Sequence, residues 1–248
     1  MRDILPIKRD ELEIYGILYM PDIHTDRCPL VILCHGLGSC HSEIEHYAKW
    51  FSDSGIACYV FDFCGGGPYT KSSLTMKDMS LATEVEDALC VLDHMKDMDG
   101  VDPENIFLMG ESQGGAVAAL VAAERQKDIK GLILMYPAFS ISGDVKRKYR
   151  SVDEIPDEPV MFHYIVGKKY FTDAWDVDMY AKCTSYGKNV LIFHGDCDDI
   201  VPLSYSEKAA EEYTNAELVV FNGALHGFNN GDIFKTAEMS IDFVKKNI

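Results

Sequence analysis

Positive charge is what this chain has least of. Against 40 Asp and Glu it sets only 23 Lys and Arg, a formal balance of −17 over 248 residues. A surface that acidic repels phosphate backbones and anionic headgroups, so neither nucleic acid nor a membrane surface is expected as the main partner. Long apolar runs are missing too. None approaches the ~18 residues of a membrane-spanning helix, and Met1 to Asp10 contain no apolar stretch of the secretory kind. The expectation is a protein of the cytoplasm. Eight cysteines are present, but Cys28, Cys34, His35, Cys40, His41 and His46 crowd one stretch without forming a C-x-x-C or H-E-x-x-H site. Reduced thiols are expected, because Cys34, Cys58 and Cys90 fall in predicted strands or helices, where free cysteine behaves as a small buried hydrophobe. Gly65, Gly66 and Gly67 follow a predicted strand, yet no Gly-Lys-Ser/Thr comes after them and the dinucleotide spacing is absent. They read as a tight loop rather than a phosphate cradle. Neither a metal nor an organic cofactor is expected, and no internal repeat or low-complexity segment is present.

What is there is apolar content, 47% of residues, ample for one domain of this length. It is arranged as short apolar runs alternating with helical periodicities. Residues 1–20 alternate loosely and suggest an antiparallel hairpin at a sheet edge, followed by a turn-rich connector from Pro21 to Pro29. Leu30–Cys34, Ile56–Phe61, Leu132–Met135, Asn189–Phe193 and Glu217–Phe221 read as strands. Between them, Ile44, Tyr47, Ala48 and Phe51 share one helical face, with Ser42 and Glu45 as an expected capping box. Leu81–Lys96, Leu203–Tyr213 and Asp232–Lys246 are further helices. The regular alternation predicts an α/β fold: a mostly parallel central sheet flanked by helices, in a single domain spanning 1–248.

Regularity breaks after Pro137. Residues 138–188 show no clear sheet strand, although connections in such folds are usually ~2–6 residues, so they are expected to form an inserted lid. Its aromatic residues, Tyr170, Phe171 and Trp175 among them, fit a substrate pocket and a packing role equally well. Lys146, Arg147, Lys148 and Arg150 read as a solvated helical face.

Asn105 to Ala123 carry the strongest local signal. An apolar run stops at Gly110, the triplet Glu111-Ser112-Gln113 follows, and a run of small residues begins at Gly114. This reads as strand, tight turn and helix with Ser112 at the apex, a nucleophile elbow of the G-x-S-x-G kind. A serine hydroxyl needs a base to take its proton, and the base needs a carboxylate to fix its tautomer. Ser, then an acid, then His, each after the carboxyl end of a strand, is met by Ser112, by the loop carrying Asp196, Asp198 and Asp199, and by His226. Backbone N–H groups of Gln113 and of Leu37, in the His35-Gly36-Leu37-Gly38 loop, are the expected oxyanion hole. His35 and His194 read as structural braces.

Five segments carry a resemblance: His35-Gly36-Leu37-Gly38, Phe61-Asp62-Phe63, Gly110 to Gly115, His194 to Pro202, and Gly223-Ala224-Leu225-His226-Gly227. Through them the chain resembles the α/β-hydrolase superfamily over nearly its whole length. It is most similar there to bacterial cinnamoyl and feruloyl esterases and to their carboxylesterase and serine-aminopeptidase-like relatives. The resemblance implies that the fifth residue of the His-Gly-x-x-Asp pattern, Asp198, is the acid, and that the insertion sits where such esterases carry theirs. The Arg-Gly-His-Gly-x-Ser loop of the family reads Cys64-Gly65-Gly66-Gly67-Pro68-Tyr69 here. The resulting expectation is a serine carboxylester hydrolase working through an acyl-enzyme on a small or medium ester, with cinnamoyl-type aromatic esters as candidates. The alternatives are aminopeptidase-like, acylglycerol lipase-like or thioester chemistry by the same triad, and a non-catalytic binding protein on the same fold.

Overall fold

The structure, a computed structural model, describes residues 1–22 and 27–248. Four short strands open the chain: β1 (Arg2–Ile4), β2 (Ile7–Arg9), β3 (Leu12–Ile14) and β4 (Gly16–Tyr19). Then follow β5 (Cys28–Cys34), α1 (His41–Asp53), β6 (Ala57–Phe61), α2 (Leu81–Lys96), β7 (Val101–Glu111), α3 (Ser112–Glu124) and β8 (Gly131–Met135). The 138–188 stretch holds α4 (Ile141–Lys148), a two-stranded ribbon of β9 (Val160–Met161) and β10 (Tyr164–Ile165), α5 (Lys168–Ala174) and α6 (Met179–Cys183). It adds no strand to the main sheet. The chain closes with β11 (Asn189–Gly195), α7 (Ser204–Glu212), β12 (Ala216–Phe221) and α8 (Asn230–Asn247).

Eight strands form one sheet in the order β1-β4-β6-β5-β7-β8-β11-β12. All pairs from β6 to β12 are parallel, and β4 and β1 add an antiparallel edge. The continuous apolar runs have their reason in this placement. Alternate side chains point to opposite faces, and both faces are covered. Leu30, Ile32, Ile106 and Leu108 join the layer beneath α2, α3 and the insertion, whereas Val31, Leu33, Phe107 and Met109 join the layer beneath α1 and α8. A fully buried aliphatic or Phe side chain of this kind contributes about 1.5–3 kcal/mol relative to exposure.

The connections place the site. From β5 the chain moves to β6 on one side, then returns across β5 to β7 on the other, so the direction of winding reverses between β5 and β7. Ligands of open α/β sheets bind outside the carboxyl ends of the strands at such a reversal. Here those ends carry the Gly36–Gly38 loop and Ser112.

Three local expectations change. The first twenty residues make two pairings rather than one hairpin: β1 with β4 on the main sheet, and β2 with β3 as a separate ribbon. Of the Pro21–Pro29 connector, residues 23–26 lie outside the described residues, and Cys28 and Pro29 already belong to β5. Ser42 does not cap α1. The helix begins one residue earlier, and the carboxylate of Asp62, from the loop after β6, accepts the His41 N–H at 2.6 Å. That tertiary cap was invisible to a search for local Ser-x-x-Glu spacing. No helix among the described residues is long and apolar enough to cross a membrane.

Candidate active site

β7 ends at Glu111, and the chain reverses into α3 through Ser112, whose φ of 50° lies in the left-handed region that non-glycine residues rarely adopt. The glycines on either side make the reversal possible by close approach. A Cβ at Gly114 would lie 2.3 Å from the carbonyl oxygens of both Cys34 and His35, and one at Gly110 would lie 2.3 Å from the Gly114 carbonyl oxygen. Both obstacles are backbone, so neither yields easily. Gly114→Ala should therefore overpack by about 1–3 kcal/mol, lowering Tm by ~2–10 °C and displacing the β5 loop, with turnover falling in step. Gly187→Ala, where an added Cβ meets nothing within 4 Å, is the control, and thermal melts of both variants check the expectation.

Ser112 Oγ lies 3.0 Å from His226 Nε2, and His226 Nδ1 lies 2.7 Å from Asp198 Oδ2. With its Nδ1–H donated to the carboxylate, the imidazole presents an unprotonated Nε2 to the serine hydroxyl. The side chain of Asp198 is fully enclosed. Burial alone would raise its pKa, but hydrogen bonds from His194 and His226, the charge of His226 and the Val201 N–H together hold it well below the usual carboxylate range. Its other oxygen takes the N–H groups of Ile200 (2.9 Å) and Val201 (2.8 Å). Its neighbours do other things. Asp196 accepts the Gly223 N–H at 2.6 Å and ties two loops together, while Asp199 is exposed.

The two histidines read as braces act as such. His194 accepts from Ser206 Oγ at Nδ1 (2.7 Å), donates from Nε2 to the Val201 carbonyl (2.8 Å), and stands 3.3 Å from Asp198. His35 accepts the Phe63 N–H (3.0 Å) and donates to its neighbour's carbonyl, tying the β5 loop to the β6 loop. The glycine loop at 65–67 packs against the same place. Gly66 O accepts the Gly38 N–H at 2.8 Å, and a Cβ at Gly67 would lie 2.2 Å from the Ser39 carbonyl oxygen.

Gln113 occupies the first turn of α3, where backbone N–H groups have no partner within the helix. The Leu37 N–H donates to no acceptor among the described residues. A Cβ on Gly36 would lie 3.3 Å from Ser112 Cβ, so the Gly36–Leu37 peptide runs directly against the serine. The Leu37 and Gln113 N–H groups thus belong to segments bordering Ser112, the latter at the positive end of a helix dipole. The Gln113 side chain is itself held on both sides. Its amide nitrogen donates to Glu84 (2.7 Å) and its oxygen accepts from Tyr170 (2.8 Å).

That last contact bears on the open choice between a pocket and a packing role for the aromatics of the insertion. Tyr170 and Phe171 are fully buried in the core beneath the sheet, and Trp175 packs partly buried against the same cluster, with Lys146 5.8 Å from its ring. The cavity of about 240 Å³ over Ser112 is lined instead by Leu37, Glu43, Glu111, Tyr136, His226 and their neighbours. None of the three aromatics lines it; Tyr170 and Phe171 lie on α5, which packs against α2 and α4. A larger groove of about 410 Å³, between α2, α3 and the α5–α6 segment, contains none of Ser112, Asp198 and His226. The basic cluster finds local partners: Lys146 pairs with Asp176 at 2.9 Å, Arg147 with Asp144, and Lys148 with the Val160 carbonyl.

Two further groups had little sequence signal. Glu111 and Tyr136 line the cavity, yet one is merely the variable residue of the elbow and the other a lone aromatic after β8. Glu84 is the second surprise, a carboxyl on an amphipathic helix that is fully buried with Oε1 unpartnered. Burial pushes its pKa up to about 8; Asp87 adds to the rise and the Gln113 hydrogen bond opposes it. Folded chains keep this proton to about pH 8, whereas unfolded chains release it near 4.5. Between those values the folded state binds the extra proton, so the group makes stability fall as pH rises. Glu84→Gln, a neutral isostere, should match the parent near pH 4.5 and exceed it in Tm at pH 8–9. A Tm difference independent of pH would contradict this.

Cys40, His41 and Asp62 bring potential metal-ligand atoms within 4.8 Å of one another. The carboxylate there is already occupied. Asp62 Oδ1 takes the N–H and Nδ1–H of His41, and Oδ2 takes the Lys71 N–H at 2.7 Å. The trio is accounted for as the cap of α1.

The family model described as serine aminopeptidase, S33, matches residues 25–161, more than half of the chain. That span includes the Gly36–Gly38 loop and the elbow and ends before Asp198 and His226. Among solved structures, Est1E from Butyrivibrio proteoclasticus with ferulic acid bound superposes with a TM-score of 0.89 at 27% identity, covering 98% of both chains. Among curated relatives, human monoglyceride lipase is 31% identical over 109 residues, 44% of this chain and 34% of the lipase. Protein phosphatase methylesterase 1 of Candida albicans is 34% identical over 107 residues, 42% of this chain and 28% of that protein. The matched region therefore spans about a third of the length of these two curated relatives. Sheet order, helices on both faces and the span of the family match together make this chain a member of the serine aminopeptidase S33 family of α/β hydrolases.

Proposed function

We propose that this protein is a serine carboxylester hydrolase. The observation that carries the reading is the continuous chain from Ser112 Oγ through His226 to Asp198, at 3.0 and 2.7 Å. In this reading His226 Nε2 takes the hydroxyl proton as Ser112 Oγ forms a bond to the ester carbonyl carbon. The carbonyl oxygen becomes an oxyanion facing the N–H groups of Leu37 and Gln113, each such donor being worth on the order of 10²–10³ in kcat. The carbon–alkoxy bond then breaks, the alcohol leaves with the proton from His226, and an acyl-Ser112 ester remains. A water activated by the same imidazole attacks it and releases the acid, restoring the serine. Asp198 stays ionised throughout and steadies the imidazolium.

An aromatic acyl group is the preferred substrate within this reading. The support is the likeness to Est1E, which covers 98% of this chain and whose structure contains ferulic acid. A peptide substrate is the second reading. It is favoured by the family description and by the two carboxyls, of Glu43 and Glu111, at the cavity, which would meet an ammonium group. The experiment is one panel: feruloyl and acetyl esters, a monoacylglycerol, an aminoacyl amide and a thioester, compared by kcat/KM. The proposal expects the esters to lead and the feruloyl ester to exceed the acetyl ester. An amide turned over faster than every ester would overturn it.

A further inference from the structure

Three non-glycine residues held at positive φ gather at this site: Ser112 (50°), Tyr136 (37°) and Phe228 (46°). A bulky residue in that region carries about 1–3 kcal/mol of strain and stays there only where its surroundings over-determine it. At Tyr136 those surroundings are identifiable. Its N–H donates to the Phe193 carbonyl at 2.7 Å, and its ring lies 4.9 Å from Phe228 and 4.5 Å from the imidazole of His226. Its hydroxyl donates to Glu111 Oε2 at 2.9 Å. The other oxygen of Glu111 faces the Gly36 N–H at 3.4 Å, in the loop that carries Leu37.

Nothing in a strand-turn-helix reversal calls for a carboxyl immediately before the serine. Half-burying one at a cavity wall is unfavourable unless hydrogen bonds compensate. Burial does push the pKa of Glu111 up, while Tyr136, Gly36 and His226 oppose that rise. The position matters because the His226 imidazole lies against the Tyr136 ring, while the chain on either side of it packs loosely. Its neighbour Leu225 is 58% exposed, and a Cβ on Gly227 would meet nothing within 4 Å. Hydrogen bonds at Nδ1 and Nε2 set the direction of the imidazole in its plane, and the Tyr136 ring is one surface that limits its tilt.

We propose that the Glu111–Tyr136 hydrogen bond is a positioning device, by which one side chain of the elbow holds both the aromatic rest of His226 and the loop bearing the Leu37 N–H. It couples parts that reach the site from four strand ends: β5, β7, β8 and β12. Glu111 and Tyr136 act through His226 and Leu37 and are positioning residues. The inference rests on Ser112 and His226 being the reacting pair.

The test compares steady-state kinetics on one ester for Tyr136→Phe, Glu111→Gln, Glu111→Ala and the Glu111→Ala/Tyr136→Phe double variant, with Ser112→Ala alongside. Misplacement by about an ångström can cost on the order of 10²-fold. Tyr136→Phe should thus lose about 10–100-fold in kcat, with KM nearly unchanged. Glu111→Gln should lose less in kcat than Glu111→Ala, because its amide oxygen still accepts the Tyr136 hydroxyl while its NH2 group can no longer accept the Gly36 N–H. The double variant should be no worse than the more damaging single one, as expected for two halves of one interaction. Wild-type kcat in Tyr136→Phe, additive losses in the double variant, or a Glu111→Gln loss as large as that of Glu111→Ala would each overturn the proposal. So would a Tyr136→Phe loss carried by KM and a lower Tm, which would mark ordinary packing. Should Glu111→Ala fail to fold, Tyr136→Phe and Glu111→Gln decide between them. Turnover surviving in Ser112→Ala would sink the underlying reading instead, whatever Tyr136 does.

Discussion

Ser112→Ala should abolish ester turnover, with a loss on the order of 10⁴–10⁶-fold in kcat and a residue of activity from the oxyanion donors alone. The size follows from chemistry rather than from structure. Alanine keeps the Cβ that packs 3.3 Å from the position a Gly36 Cβ would take, and removes only the oxygen bonded to His226. The φ of 50° is no worse for alanine than for serine, so the variant should melt within a few degrees of the parent. Circular dichroism melts and a fluorophosphonate labelling assay separate the two effects. The account expects no label and a normal fold. A variant that unfolds would say nothing of chemistry, and Ser112→Gly, which relieves the strain while also lacking the hydroxyl, then takes its place.

Asp198→Asn should be the next most damaging change, about 10⁴-fold in kcat, because an amide that donates to Nδ1 favours the wrong imidazole tautomer. The neighbouring aspartates provide the contrast. Asp199 is exposed, and Asp196 accepts a backbone N–H that an asparagine oxygen would accept equally well, so both Asn variants should remain within a few-fold of the parent. Acid stability gives a second reading of the same residue. A carboxyl held below its ordinary pKa by His194 and His226 contributes stability that is present above the unfolded value, about pH 4, and is lost as pH falls through the folded one. Tm of Asp198→Asn should thus fall less steeply on acidification than that of the parent. Comparable kinetic losses at Asp199→Asn, with Asp198→Asn near wild type, would reassign the acid.

How far the sequence could be read depended on how local each feature is. The elbow was legible because a strand, a serine and three small residues are contiguous, and because close approach leaves only glycine at 110 and 114. The strands were legible because burial on both faces demands unbroken apolar runs such as Leu30–Cys34. Choosing among Asp196, Asp198 and Asp199 needed the family pattern, and the hydrogen bonds now separate them by what each accepts. The lid aromatics left two readings open for a reason of geometry. An aromatic side chain in an insertion is equally apt to wall a cavity or to fill a core, and the direction of α5 decides it. Tyr170 turns inward to Gln113 and leaves the cavity to Tyr136, a residue with no motif around it. The Asp62 cap of α1 and the Glu84–Gln113 contact were hidden likewise, since their partners are 21 and 29 residues apart in the chain.

The most direct measurement of the central claim is intact-protein and peptide mass spectrometry after reaction with a fluorophosphonate, repeated on His226→Ala. The account predicts one adduct per chain, mapped to Ser112, forming much more slowly when His226 is absent. An adduct on another residue, or ester turnover in a protein whose Ser112 remains unmodified, would contradict it.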